Sequence, residues 1–232
     1  MVFKNTLLRA KLIRRYKRFL ADVILDNGTE MTVYCPNTGS MRSCSAPGSE
    51  VCISHSDNSD RKYPYTLEMI RVGGSWVGVN TGLTNLIVAE AIKHGAIEEL
   101  KDFDSLQREV TVTPGTRLDI LLTGKSGRVF IEVKNCSMVE EGTAMFPDAV
   151  TKRGTKHLEE LAGCVKRGDE AVIFYLVQRT DASVFRPAVH IDRQYAETLV
   201  KVHQVGVKIL VYQAAVTPES ISISGKLPFK LQ

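Results

Sequence analysis

No stretch of this 232-residue chain is apolar for the roughly 18 residues that a membrane-spanning helix requires. The first residues, Met1-Val2-Phe3-Lys4-Asn5, lead into charge rather than into an apolar run, so no secretory signal is expected. Cysteine is scarce. The five residues (Cys35, Cys44, Cys52, Cys136 and Cys164) are odd in number and lack CxxC spacing. That argues against a disulfide framework or a zinc site, and for a reduced, cytoplasmic setting. His55, His94, His190 and His203 are isolated and lack metal-ligand spacing, and no glycine cluster has the spacing of a phosphate-binding loop. Internal repeats, low-complexity linkers and a helix-turn-helix pattern are also missing, which leaves no visible element for sequence-specific readout.

What is present is an ordinary globular composition, 44% hydrophobic and 24% charged, long enough for one or two domains. The net charge of +4 is modest, but its distribution is uneven. Residues 9–18 hold six basic residues (Arg9, Lys11, Arg14, Arg15, Lys17 and Arg18) and no acid. Such a cluster is either a solvated face or a surface that tracks phosphates. Tyr16, Phe19, Tyr34, Tyr63 and Tyr65 are interleaved with Arg14, Arg15, Lys17, Arg18, Arg61 and Lys62. That mixture fits a binding surface on which bases stack beside held phosphates, with about half of the aromatics expected in a core instead.

Residues 7–13, 18–25, 30–35, 50–54, 65–72 and 75–79 are short β-type patterns, separated by turn signals at 26–28, 36–39, 47–48, 57–60 and 73–74. Strands of this number and spacing predict a small closed barrel of the OB type over residues 1–82. The remainder, 83–232, changes character. Helical periodicity runs over 84–94, 151–166 and 195–205, each followed by a glycine stop (Gly95, Gly168, Gly206). Strand patterns run over 105–112, 117–122, 128–135, 171–177 and 207–212, and together these predict a mixed α/β sheet.

Within that sheet, Asp119 ends one apolar strand pattern, and Glu132-Val133-Lys134 lies in the next. Residues two apart on a strand share a face, so Glu132 and Lys134 project together while Ile131 and Val133 turn to the core. A turn at 123–127 makes the two strands neighbours, which brings Asp119 within reach of Glu132. Two carboxylates about 4 Å apart repel by roughly 4 kcal/mol at an effective dielectric of 20. A hard divalent cation, Mg²⁺ or Mn²⁺, relieves that repulsion, with the Val133 carbonyl as a further ligand. Lys134 then orients or deprotonates a water, or neutralises charge in the transition state. The alternative is an exposed hairpin with a cross-strand salt bridge.

Asp119 with Glu132-Val133-Lys134 resembles the PD-(D/E)xK nuclease signature, although Leu118 holds the place of the usual proline and Pro114 lies four residues earlier. The chain as a whole resembles the sugar fermentation stimulation protein A family. The similarity rests on residues 14–23 (RRYKRFLADV), 35–39 (CPNTG), 61–66 (RKYPYT), 132–135 (EVKN) and 146–151 (FPDAVT). It implies an OB-like barrel joined to a restriction-endonuclease-like mixed α/β domain, and DNA as the partner. In nucleases of this type an acid on the preceding helix often completes the metal site, which makes Glu90 a candidate ligand. Such nucleases also often pair as dimers.

Arg153, Lys156 and His157 open the helix after the Glu-x-Lys strand, where a helix N-terminus favours phosphate. Asp148 is either a further acid or a turn residue. The expectation is a metal-dependent deoxyribonuclease with little sequence specificity. The competing readings are a DNA-binding regulator that keeps the nuclease fold without catalysis, and a carbohydrate enzyme, for which no sugar-site signature is visible.

Overall fold

The computed structural model describes residues 1–231. The first half is built from β1 (Leu8–Tyr16), β2 (Leu20–Leu25), β3 (Glu30–Tyr34), β4 (Glu50–His55), β5 (Tyr65–Val72) and β6 (Ser75–Gly78). Their order is β3-β2-β1-β4-β5-β6, and a parallel contact between Tyr34 of β3 and Thr66 of β5 closes the first five into a barrel. This is the OB topology. Its interior is filled by Ala10, Leu12, Val23, Val33, Val51, Ile53, Leu67 and Ile70. β5 is buried on both faces because Met69, with Cys52 of β4, packs outward against the second domain. Of the five aromatics among the basic residues, Tyr65 alone packs on this core, and Phe19 is 45% exposed. Fewer aromatics are interior than the sequence suggested, because small aliphatic residues already fill so narrow a barrel.

The second half continues with α1 (Thr84–Lys93), β7 (Ser105–Thr113), β8 (Thr116–Gly124), β9 (Gly127–Cys136), β10 (Met138–Glu140), β11 (Thr143–Phe146), α2 (Lys152–Lys166), β12 (Glu170–Val177), β13 (Val184–Pro187), α3 (Arg193–Gln204), β14 (Lys208–Val216) and β15 (Ile221–Lys226). A six-stranded sheet runs β15-β14-β12-β9-β8-β7. β9, β12 and β14 are parallel, and the outer strands are antiparallel. The small sheet β10-β11-β13 had no strong strand pattern in the sequence, since its strands are only three or four residues long.

Helix α1 covers one face of the large sheet, over Ile120, Ile131, Val133, Phe174 and Leu176. Helices α2 and α3 cover the other, over Phe130, Ile173, Tyr175 and Val211. β12 is apolar throughout because it is buried on both faces. Residues 1–3 do not belong to the barrel. Val2 bridges Ser220, and the Phe3 N–H donates to the Glu219 carbonyl at 3.0 Å, so the chain starts on the edge of the second domain and then enters the first. No helix among the described residues is long and apolar enough to cross a membrane.

Candidate active site

The β8–β9 ladder pairs Gly124 with Gly127 and proceeds in register to Ile120 opposite Ile131, where it ends. The next step would place Asp119 against Glu132. Instead the strands part. Leu118 packs with the α2 face and Ile120 with the α1 face, although residues two apart on a regular strand share a side, so β8 twists through Asp119. Opposite this point on β7, Glu109 has a left-handed φ of 57° between the pairs Arg108–Ile120 and Val110–Leu118. A non-glycine residue in that region costs energy and marks a kink. The opened ladder is capped by a side chain, since Asp119 Oδ2 accepts the Val133 N–H at 2.8 Å. An extended residue sends its N–H and C=O to the same edge, so the Val133 carbonyl leaves toward the same gap.

Asp119 Oδ1 accepts from Asn85 Nδ2 on α1 at 2.8 Å. Glu132, 2% exposed, is held through one oxygen: Oε1 accepts from Lys134 Nζ at 2.5 Å and meets His157 Nδ1 of α2. Its other oxygen, Oε2, is buried without a hydrogen-bond partner. His157 Nε2 in turn accepts from Arg153 Nε at 3.2 Å. Both bonds are made together by the neutral ring carrying its proton on Nδ1. Thr151 caps α2 by accepting the Gly154 N–H at 3.0 Å, which fixes the helix start so that His157 reaches Glu132 about one and a half turns on.

The two carboxyls are driven apart electrostatically. Burial, and then the Glu132 charge, push Asp119 up to about 6, against the Val133 N–H, Lys134 and Asn85, which lower it. Burial pushes Glu132 up as well, but the His157 hydrogen bond and the Lys134 charge outweigh it and hold that group below the usual carboxylate range. Asp119 is thus the carboxyl that gains most from an added positive charge.

Asp119 holds its proton more tightly folded than unfolded. Its stabilising contribution is complete below its ordinary value of 3.8 and is lost as pH rises through about 6. With Asn85 turning its amide so that its oxygen accepts from the new NH₂, Asp119→Asn is therefore expected to stabilise the metal-free protein by about 1–3 kcal/mol at pH 8 and much less at pH 4.5. Thermal melts in chelator at the two pH values check this, and an equal gain at both would count against it.

Not every residue expected here takes part. Glu90 is a correction: its carboxylate pairs with the Met1 ammonium at 2.9 Å, away from the acid pair. Glu90 follows Asn85 by five residues, which turns it about 140° around the helix. The α1 residue that meets the site is Asn85, an unremarkable amide that no sequence signal singled out. Arg15 is a second correction. Its guanidinium donates to the carbonyls of Arg18 (2.6 Å), Asn37 (2.7 Å), Gly39 (2.9 Å) and Ser40 (3.4 Å), and so shapes the loop after β3 instead of facing solvent. His157 is not a surface contact, since it is 5% exposed and backs Glu132.

Arg14 pairs with Asp22 at 2.8 Å and is exposed. Lys17 and Arg18 form the exposed β1–β2 turn at φ 49° and 64°. Arg61 lies over Tyr34 and Lys62 over Tyr63. Lys156 is exposed, outside the cleft that contains the acids. That cleft, about 520 Å³, lies between the domains and is lined by Arg18, Asn37, Thr38, Asp119, Glu132, Lys134, Asp148 and Arg153, among others. Asp148 is a latch: Oδ2 accepts the Met41 N–H at 3.1 Å and packs against Gly39, where a Cβ would collide with it. All five cysteines are free and buried, and burial pushes the Cys136 thiol beside the site up to about 12.

An OB barrel latched to a mixed α/β domain, with two acids and a lysine recessed between them, defines a two-domain class of protein. Residues 13–79 match the family described as the SfsA N-terminal OB domain, and residues 82–220 match the sugar fermentation stimulation protein RE domain. The chain belongs to the sugar fermentation stimulation protein family. It is 56% identical to the sugar fermentation stimulation protein homolog of Desulfotalea psychrophila, over 96% of this chain and 94% of that one. It is 49% identical to that of Pelobacter propionicus, over 96% of each. The solved structure of Pyrococcus furiosus SfsA in complex with Ca²⁺ is similar at a TM-score of 0.90 and 25% identity, covering 99% of this chain and 98% of that one.

Proposed function

We propose that this protein is a divalent-metal-dependent DNA phosphodiesterase, with Mg²⁺ or Mn²⁺ as the ion. The observation that carries the reading is Glu132 Oε2, a buried carboxylate oxygen without a partner, close to a second, half-buried acid where the ladder parts. An all-oxygen set of Asp119, Glu132 and the Val133 carbonyl suits a hard cation, which typically keeps several waters. When bound, the ion supplies Lewis acidity and a more acidic water. The chain's own residues do the rest. His157 and Lys134 hold Glu132 ionised and leave its second oxygen without a partner. Lys134 places a positive charge beside the phosphate as its charge develops. Arg18 and Arg153 offer phosphate contacts on the two banks of the cleft. That a relative was solved with Ca²⁺ supports a cation-binding reading of the family.

Incubation with DNA in Mg²⁺, Mn²⁺ or chelator is expected to give cleavage in metal alone, absent from Asp119→Ala and Glu132→Ala proteins. Equal cleavage by the variants would sink the reading. One observation favours a non-catalytic DNA-binding protein: both Asp119 oxygens are already engaged, by Asn85 Nδ2 and by the Val133 N–H. That reading expects salt-sensitive DNA binding indifferent to metal and to Lys134→Ala.

A further inference from the structure

The acids lie at the bottom of the interdomain cleft and not on an open face. Side-chain exposure is 3% at Glu132 and 15% at Lys134. One bank is the barrel loop at Arg18 and Thr38, and the other is the segment at Val150 and Arg153 before and inside α2. Val150 is 70% exposed at the mouth, so the opening is marked by an apolar residue between two arginines.

The barrel bank is braced against yielding. Arg15 ties the carbonyls of Asn37 and Gly39 to the β1–β2 turn, and Arg18 donates to the Thr38 carbonyl at 3.0 Å. The other bank holds it in turn, through Asp148 to the Met41 N–H. Behind the loop, Thr81 Oγ1 donates to the Pro36 carbonyl at 3.0 Å. The cleft is therefore a braced slot of about 520 Å³, within the size range of small-ligand sites. A backbone phosphate of a paired duplex carries a rigid stack of base pairs behind it, which the banks would have to part to admit as far as Glu132, whose side chain is 3% exposed. A single backbone with its bases splayed needs no such parting.

We infer that the slot admits one unpaired DNA strand and excludes paired duplex, so that the substrate is a single strand, a gap or an unpaired end. This rests on the phosphodiesterase reading above. It also explains why the positive charge on both banks is sparse. One strand threaded between Arg18 and Arg153 needs two phosphate contacts, not a broad basic face. The exposed Val150 at the mouth then suits unstacked bases better than a paired helix.

The test has two independent arms on the full chain. In the first, an end-labelled oligonucleotide is supplied with Mn²⁺ as a single strand, as a perfect duplex, and as a duplex with a central unpaired bubble. Cleavage of the single strand at least about 100-fold faster than the duplex, and cutting of the bubble confined to its unpaired bases, is expected. Duplex cut as fast as single strand overturns the inference. In the second arm, in chelator, a single 4-thiothymidine is placed in the same sequence, unpaired or paired, and cross-linked by light. The unpaired base is expected to join residues 37–39 or 145–151, and the paired base neither. Cross-links to both segments from the paired base, or none to either from the unpaired one, overturn it. Should no DNA be cut in any metal, the phosphodiesterase reading falls, and the cross-links alone decide what enters the slot.

Discussion

Replacing Glu132 by Gln is expected to lower metal-dependent DNA cleavage by at least about 10²–10³-fold, the scale seen when a preorganised charge contact is removed from an active site. The geometry explains why so small a change has so large an effect. Glu132 Oε1 accepts from Lys134 and His157 at once, and only Oε2 is left for a cation. A carboxamide has one oxygen. If that oxygen keeps Lys134 and His157, its NH₂ takes the place of Oε2 and repels a cation. If the amide turns over, two donors meet the NH₂ inside a site with little water. DNA affinity, set by charge on the banks, is expected to stay within about twofold. Cleavage gels and fluorescence anisotropy on one preparation separate the two effects. Loss of binding in step with cleavage would show that Glu132 shapes the slot and does not act in the chemistry.

Phe174→Ala is expected to be the most destabilising of the single changes considered, at about 3–5 kcal/mol. Phe174 is wholly buried in the centre of β12 and stacks on Tyr212 of β14, with centroids 5.5 Å apart and planes 11° off parallel. For a chain of this length that cost lowers the melting temperature by roughly 6–20 °C. Its register partner on β9 is Val133, whose N–H holds Asp119. A cavity beneath Val133 lets β9 relax away from β8, so cleavage at a temperature where the variant is still folded is expected to fall as well. Calorimetry with rates measured well below the transition tests both parts. A melting temperature within a degree or two of wild type would contradict the assignment of this stack to the core.

Much of this was legible in the sequence. The shared face of Glu132 and Lys134 follows from strand alternation and a short turn brings Asp119 near them, both local rules, but the parting of the ladder at Asp119 does not. The barrel follows from strand spacing and turn residues. What was not legible depends on contacts distant in sequence. That Asn85 and not Glu90 meets Asp119 depends on the rotation of α1 above the sheet, which helical periodicity leaves open when Val88, Ala89, Ala91 and Ile92 are all buried. Arg15 could not be told from Arg14 and Lys17 by composition, because its task depends on a loop that returns more than twenty residues later. His157 was visible as a basic residue at a helix start, but its burial against Glu132 is a tertiary fact. The β10-β11-β13 sheet is too short for periodicity to register.

The first three residues bear on mechanics as well as topology. Because Met1–Phe3 lie along the segment at 219–221, the chain leaves the second domain, builds the barrel, and re-enters at α1. The barrel is thus an excursion moored at two points, not a bead on one string. A body on one tether can swivel in any direction. A body on two can only rock about the line that joins its moorings, and the Asp148–Met41 latch opposes that rocking too. The width of the slot is therefore steadied by the hydrogen-bonded mooring of residues 1–3 and the covalent join before α1 as well as by the polar contacts across it.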